Sequence, residues 1–118
     1  MKDLNKQTGF TGEKLALDYL LSKNYEPITK NYSTKFGEID LVMRDKNITV
    51  FVEVKTKKGV DFGTPEEMFT HGKYERVKRM ATVYLNGRDV PCRVDMVAVI
   101  LDPNNQPVSI KHYPNVTG

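Results

Sequence analysis

The sequence FGEIDLVMRDKNITVFVEVKTK, residues 36–57, decides the fold. Two runs in which polar and apolar residues alternate flank the turn-forming residues RDKN, and this pattern predicts a β-hairpin. The first strand carries Glu38 and Asp40, and the second carries Glu53 followed two residues later by Lys55. Because an unpaired charge is costly to bury, these acids predict a partner of opposite charge.

The register of the hairpin determines whether its acids can meet. Asp40 and Glu53 share a face only if the residue numbers paired across the hairpin sum to an odd number. A two-residue loop at 45–46, or a four-residue loop at 44–47, meets this condition and puts Glu38 opposite Glu53, with Asp40 on the neighbouring diagonal. A three-residue loop would separate Asp40 from Glu53. Strict alternation places three apolar residues on the other face of the first strand: Ile39, Leu41 and Met43.

The segment before the hairpin predicts a helix that carries another acid. We expect this helix to begin near Thr8–Thr11 and to end near Asn24. Glu13 falls inside its apolar stripe, whose members recur at helical spacing: Ala16, Leu17, Leu20 and Leu21. Glu13 therefore points toward the core or a cleft, or else it only favours the positive end of the helix dipole.

The whole chain predicts a single α/β domain over residues 1–118, with flexible ends at 1–8 and 114–118. A helix between the third and fourth strands allows a parallel crossover. We therefore expect a central mixed sheet of about five strands with a helix on each face. The further strands are an edge strand over 25–33 and strands over 92–101 and 106–113. The second helix is expected to be capped by Thr64, interrupted near His71–Gly72 and ended by Asn86–Gly87.

Composition excludes several classes of protein. Cys92 is the only cysteine, which excludes an intramolecular disulfide and a cysteine-based zinc site. No apolar run is long enough to cross a membrane, and the N-terminus is polar, so we expect a cytoplasmic protein. The net charge of +3 is mild, but several cations are clustered: Lys57, Lys58, Lys73, Arg76 and Arg79. They either solubilise the surface or attract a polyanion such as DNA.

The acids and the lysine of the hairpin suit metal-dependent hydrolysis of a phosphodiester. Hard oxygen ligands select Mg²⁺ or Mn²⁺. Asp40 would be the bridging ligand, and Glu53 a second one helped by the main-chain carbonyl of Val54. Lys55 would hold the attacking water or stabilise the phosphate, and Glu13 would bind a second metal or orient a bound water. The competing interpretation is a surface ladder of salt bridges.

Other polar residues receive smaller roles at this stage. Glu38 is expected to support the site without binding the metal. His71 and His112 are too isolated for a metal site and are expected at the surface. Asp95 lies in an apolar strand, where it would pair with Arg93 or with a cation from a helix, and we assign it no catalytic role.

The motifs Gly37-Glu38-Ile39-Asp40-Leu41 and Phe51-Val52-Glu53-Val54-Lys55 resemble the PD-(D/E)xK, or restriction-endonuclease-like, nuclease pattern, with Glu38 or Ile39 in place of the motif's proline. More closely, the chain resembles the YraN family of small bacterial proteins. Further matching features run along nearly the whole chain: Gly9, Gly12-Glu13, Ala16, Tyr19-Leu20, Asn31, Ala81, Tyr84-Leu85 and Arg93-Val94-Asp95. Archaeal Holliday-junction resolvases are similar in layout.

This resemblance implies a restriction-endonuclease-like fold, dependence on Mg²⁺ and often a homodimer. It implies four site residues: Glu13, Asp40, Glu53 and Lys55. The resulting hypothesis is a Mg²⁺-dependent endonuclease that acts on DNA, with structured or branched DNA among the possible substrates. Two alternatives remain open, a catalytically silent nucleic-acid-binding module on the same fold, and a structural or partner-binding domain in which Glu38, Glu53 and Lys55 form cross-strand ion pairs.

Overall fold

The chain folds around one mixed sheet, as seen in a computed structural model that describes residues 2–59 and 70–116. The elements follow the chain in this order: α1 (Lys2–Ser22), β1 (Glu26–Thr34), β2 (Gly37–Asp45), β3 (Ile48–Lys58), α2 (His71–Leu85), β4 (Cys92–Leu101) and β5 (Pro107–Tyr113). The strands lie side by side in the order β1-β2-β3-β4-β5. Among the strands that the structure describes, only β3 and β4 run parallel, and they are joined across α2. The predicted α/β architecture of five strands and two helices is confirmed.

The sheet separates two apolar layers, one beneath each helix. On the α1 side, Ala16 and Leu20 pack against residues of β2, β3 and β4, including Leu41 and Val52. On the α2 side, Val77 and other helical residues pack against the opposite surface of the sheet. In the predicted apolar stripe of α1, Ala16 and Leu20 are fully buried and Leu17 is half-buried. Leu21 is the exception, since 40% of its surface is exposed.

The β2–β3 hairpin has the predicted parity but a different register. Asp45 pairs with Ile48, so the turn is formed by residues 46–47, with Lys46 in the left-handed region at φ 59°. The predicted loops were wrong because Asp45 stays in the strand, where its carboxylate forms an ion pair with Arg93 at 3.1 Å. The prediction that Glu38 lies opposite Glu53 was wrong for the same reason. One step beyond the last pair, the register instead brings Asp40 level with Glu53.

Strict alternation fails at the start of β2. Leu41 and Met43 lie in the α1-side layer, as expected, but Ile39 lies with Val42 in the α2-side layer. The last β2–β3 pair is Leu41 with Val52, so the residues of β2 before Leu41 are free to turn relative to β3. The intervening residue, Asp40, is therefore directed into the gap between the two strands.

Helix α1 differs from the prediction at its N-terminal end. Helix α1 begins at Lys2, ahead of the expected start at Thr8–Thr11. Helix α2 begins at His71, next to the expected interruption, and Thr70 caps it by accepting a hydrogen bond from the Lys73 N–H. The cap expected at Thr64 lies outside the described residues. The end of α2 is confirmed, with Asn86 in the left-handed conformation.

A buried polar network holds the far end of the sheet together. The carboxylate of Asp95 is fully buried and accepts hydrogen bonds from Arg93 and from the main-chain N–H of Asn115, each at 2.9 Å. His112 Nε2 lies 2.7 Å from the same carboxylate. Burial alone would raise the pKa of Asp95, but the hydrogen bonds from His112, Arg93 and Asn115 outweigh it and lower that pKa.

This network corrects two predictions. The His112 side chain is only 4% exposed, so its expected surface role was wrong. The chain after Pro114 was expected to be flexible, but Asn115 donates to Asp95 and the N–H of Val116 donates to the carbonyl of Val94 at 2.8 Å. Residues 117–118, like the side chain of His71, lie outside the described part of the protein.

Helix α1 lies close against β3 at Gly12. A Cβ atom at Gly12 would overlap the hydroxyl and methyl groups of Thr56, whereas a Cβ atom at Gly9 would contact nothing within 4 Å. Glu13 follows Gly12 directly, so this close contact fixes the position at which Glu13 meets the sheet.

Replacing Gly12 by Ala should therefore destabilise the protein by about 1–3 kcal/mol, because the helix must move away from the sheet. Gly9→Ala is the matched control in the same helix, and it should be neutral or stabilising by up to about 1 kcal/mol because of helix propensity. Urea denaturation measures both effects. Thr56→Ala should recover part of the Gly12→Ala loss in a double-mutant cycle, and additive effects would contradict the proposed contact.

Candidate active site

The candidate site lies where β2 and β3 separate. Asp40 Oδ2 accepts a hydrogen bond of 2.8 Å from the main-chain N–H of Val54. A carboxylate that binds the main chain of the next strand must lie near the plane of the sheet, so Asp40 fills the gap that opens beyond the last hairpin pair. A cavity of about 380 Å³ opens at this point, and its walls include Glu13, Asp40 and Lys55.

Three acids converge on one point of this gap. Carboxylate oxygens of Glu13, Glu38 and Asp40 lie within 4.8 Å of one another. With its amide nitrogen turned toward the acids, Asn31 donates hydrogen bonds of 2.8 Å to Oε1 of Glu13 and to Oε1 of Glu38. Asn31 is an exposed residue of β1 in the left-handed conformation, at φ 52°. One amide thus joins an acid from the helix to an acid from the sheet.

A fourth acid faces this group from β3 and is paired with a lysine. Glu53 is 5% exposed, and its Oε1 lies 3.2 Å from the ammonium nitrogen of Lys55. The side chain of Lys55 is itself only 18% exposed. Since ion pairs with little exposure are screened less by solvent than those at the surface, Glu53 holds the ammonium of Lys55 at the cavity.

A second lysine reaches the site from α2. The side chain of Lys73 lies near that of Lys55, and this proximity, together with burial, lowers the pKa of Lys73. Two lysines held side by side repel one another unless an anion lies between them or one of them loses its proton. The α2 side of the cavity is therefore suited to bind an anion.

Burial and mutual repulsion also shift the pKa values of the acids. The pKa of Asp40 is raised to about 8, chiefly by burial and then by the charge of Glu53, against the opposing hydrogen bond from Val54. Burial also raises the pKa of Glu13, and the charges of Glu38 and Glu53 add to this effect. Without a bound cation, the site thus favours a protonated acid at Asp40.

The structure brings together all four residues predicted to act at the site: Glu13, Asp40, Glu53 and Lys55. Of the cations predicted to bind nucleic acid, Lys73 reaches the site. Lys57 and Lys58 lie at the end of β3, and Arg76 and Arg79 are exposed on α2. The aliphatic part of Arg76 packs over Gly37, with Cδ 3.3 Å from the position of an added Cβ.

Two residues of the site, Glu38 and Asn31, contribute more than the sequence predicted. Glu38 was expected only to support the ligands, but its oxygen lies in the converging group. Asn31 was noted as part of a family resemblance and received no role. An asparagine inside a predicted edge strand was the available signal, because asparagine is depleted in strands and tolerates the left-handed conformation.

In the part of the chain that the structure describes, neither helix is long and apolar enough to span a membrane.

Comparison with known proteins identifies the family. A model of the family described as "Uncharacterised protein family UPF0102" matches residues 12–99. A UPF0102 protein of Dictyoglomus turgidum is 34% identical over 114 residues, which cover 94% of this chain and 97% of that protein. A UPF0102 protein of Caldanaerobacter subterraneus is 43% identical over 107 residues, or 87% and 88% of the two chains. The chain belongs to the UPF0102 family.

The raised pKa of Asp40 predicts how stability depends on pH. A carboxyl group whose pKa is higher in the folded protein contributes stability that is complete below its unfolded pKa, near 4, and is lost as the pH rises through 8. Asp40→Asn keeps an acceptor for the Val54 N–H and carries no charge. It should therefore stabilise the metal-free protein at pH 9 by on the order of 1–3 kcal/mol and have little effect at pH 4.

Urea denaturation between pH 4 and pH 9, in a chelating buffer, measures this difference. Asp89→Asn, which removes an exposed acid outside the site, serves as the control and should follow the wild type. Parallel stability curves for the wild type and Asp40→Asn would show that Asp40 titrates normally.

Proposed function

We propose that this UPF0102 protein is a divalent-metal-dependent endonuclease of the restriction-endonuclease-like type, which hydrolyses phosphodiester bonds of DNA in the cytoplasm. One observation carries the proposal, namely that converging acids and a pair of lysines face each other across the gap between β2 and β3. Acids alone would suggest a cation site, and lysines alone an anion site. Their juxtaposition suits a metal and a phosphate bound together.

The donor set fits a hard divalent cation. Glu13, Glu38 and Asp40 offer carboxylate oxygens within 4.8 Å of one another, and oxygen-only sites favour Mg²⁺ or Mn²⁺ over softer metals. Asp40 and Glu13 would hold the metal together with Glu38, and Glu53 and the main-chain carbonyl of Val54 are the further ligands predicted from the sequence. When bound, such an ion polarises the phosphate and lowers the pKa of a bound water.

The protein's own residues prepare the site for a phosphodiester. The Val54 N–H fixes the Oδ2 atom of Asp40 by a hydrogen bond. The ion pair with Glu53 keeps the ammonium of Lys55 at the cavity, where it can neutralise negative charge on a phosphate oxygen in the transition state. Asn31 restrains Glu13 and Glu38 together. These restraints reduce the reorganisation that substrate binding would require.

The cations on α2 and at the end of β3 provide an approach for the DNA backbone. Lys73 adjoins Lys55, and four further cations would contact flanking phosphates: Lys57, Lys58, Arg76 and Arg79. Such contacts weaken steeply with salt. A homodimer, as the family resemblance implies, would present two sites to the two strands of a duplex or junction.

The wild type should cleave DNA when Mg²⁺ or Mn²⁺ is added, and Asp40→Asn and Lys55→Ala should each reduce the rate by about 100-fold or more. A panel of end-labelled single-stranded, duplex and branched oligonucleotides measures this. Lys23→Ala is the matched control, because Lys23 is an exposed lysine at the far end of α1, and it should leave the rate unchanged.

Metal binding gives a second readout that does not depend on cleavage. At ten times its dissociation constant, Mn²⁺ should stabilise the wild type by about 1.4 kcal/mol and should stabilise Asp40→Asn much less. DNA binding that persists in Asp40→Asn, with no cleavage of any substrate, would instead establish a silent binding module. If neither Mn²⁺ nor DNA binds at low salt, the protein is a structural or partner-binding domain.

A further inference from the structure

A second cavity lies on the other side of Glu13 from the metal-binding gap. Its volume is about 320 Å³, and it opens between α1 and β1. Six residues define its chemistry: Phe10, Glu13, Lys14, Leu17, Lys30 and Asn31. Glu13 also lines the cavity of the candidate active site, so the two cavities share one wall. A ligand in the second cavity would therefore lie directly beside the reacting phosphodiester.

Phe10 is the notable side chain of this cavity. Its surface is 72% exposed, more than that of any other large apolar side chain that the structure describes. Phe10 precedes Glu13 by three residues and Leu17 by seven, which places all three on one side of the helix. An aromatic ring held in solvent on the rim of a cavity offers a flat surface for stacking.

The remaining walls suit a planar polar ring. Leu41, which is buried, and Leu17, which is half-buried, provide apolar surface. Asp18 and Asn31 offer hydrogen-bonding groups, and Lys14 and Lys30 add positive charge at the rim. The volume is at the lower end of the range for small-ligand sites, roughly 300–1,000 Å³, which suits one nucleotide base better than a base pair.

We propose that this cavity binds an unpaired base of the nucleotide next to the scissile phosphate, so that the substrate is single-stranded or locally unpaired DNA. The inference rests on the proposed nuclease function. Phe10 stacks on the base, and Lys14 and Lys30 contact the adjoining phosphates. A base paired within a duplex cannot enter, because it must first leave the helical stack. The cavity thereby selects gaps, flaps, loops or ends over continuous duplex.

Fluorescence tests this directly with the Asp40→Asn variant, in which cleavage does not interfere. The probes are oligonucleotides with 2-aminopurine placed at successive positions of a single-stranded gap. We expect quenching at one position, where the base stacks on Phe10. Adding Phe10→Ala should abolish this quenching and weaken binding of the gapped DNA by about 5- to 100-fold.

Further variants separate stacking from simple apolar contact. Phe10→Tyr should retain binding, and Phe10→Leu should lose it. Val108→Ala, which shortens an exposed apolar side chain on β5, is the control and should bind as the parent does. Because Phe10 is exposed, thermal unfolding should be nearly the same in all these variants. An abasic position in place of the quenched base should weaken binding as much as Phe10→Ala does.

The outcomes distinguish this inference from the proposed function. If gapped and continuous duplex bind equally and Phe10→Ala has no effect, the base-binding inference is wrong, even where the wild type cleaves DNA. If 2-aminopurine is quenched at one position in a Phe10-dependent manner but the wild type cleaves nothing, the nuclease proposal fails and the base-binding site stands.

Discussion

The hydrogen bond from the Val54 N–H to Asp40 is the constraint on which the site depends. Strand pairing in the hairpin ends with Leu41 and Val52, and the carboxylate of Asp40 satisfies the main-chain donor of Val54 beyond that point. A shift of one residue would turn every side chain of the strand to the other face. The register that buries Leu41 and Val52 therefore also places Asp40 in the gap, so the core and the site depend on the same strand pairing.

The same coupling extends to helix α1. Glu13 can join the acids of the sheet only because Gly12 allows the helix to lie against Thr56. Below this contact, Ala16 and Leu20 are fully buried in the α1-side layer. The apolar residues hold the helix on the sheet, and the glycine sets how close its N-terminal half comes. Packing therefore brings Glu13 close to the other acids, against the repulsion among their like charges.

Much of the fold could be predicted from sequence because its signals are local. Apolar spacing identified the first helix, and Asn86–Gly87 identified the end of the second. Alternation identified the hairpin and the odd-sum parity that lets Asp40 and Glu53 meet. The predictions failed where a distant residue decided the outcome. The turn lies one residue later than predicted because Arg93 holds Asp45 in its strand by an ion pair. His112 is buried because its Nε2 atom forms a hydrogen bond with the carboxylate of Asp95. Such pairings join residues far apart in sequence, so the periodicity of the sequence cannot predict them.

The spacing of the acids could be predicted from the sequence, but the groups that neutralise their charge could not. The distribution of charge in the structure explains why. Burial and then the charge of Glu53 raise the pKa of Asp40 to about 8, and the adjacent Lys55 together with burial lowers the pKa of Lys73. The first shift favours the uncharged form of an acid that lies beside other acids, and the second favours the uncharged form of a lysine that lies beside another lysine. A bound cation would relieve the repulsion among the acids, and a bound anion would relieve the repulsion between the two lysines. Neither ion alone would relieve both. The proposed metal ion with a bound phosphate would carry both charges, and it would therefore relieve both shifts at once.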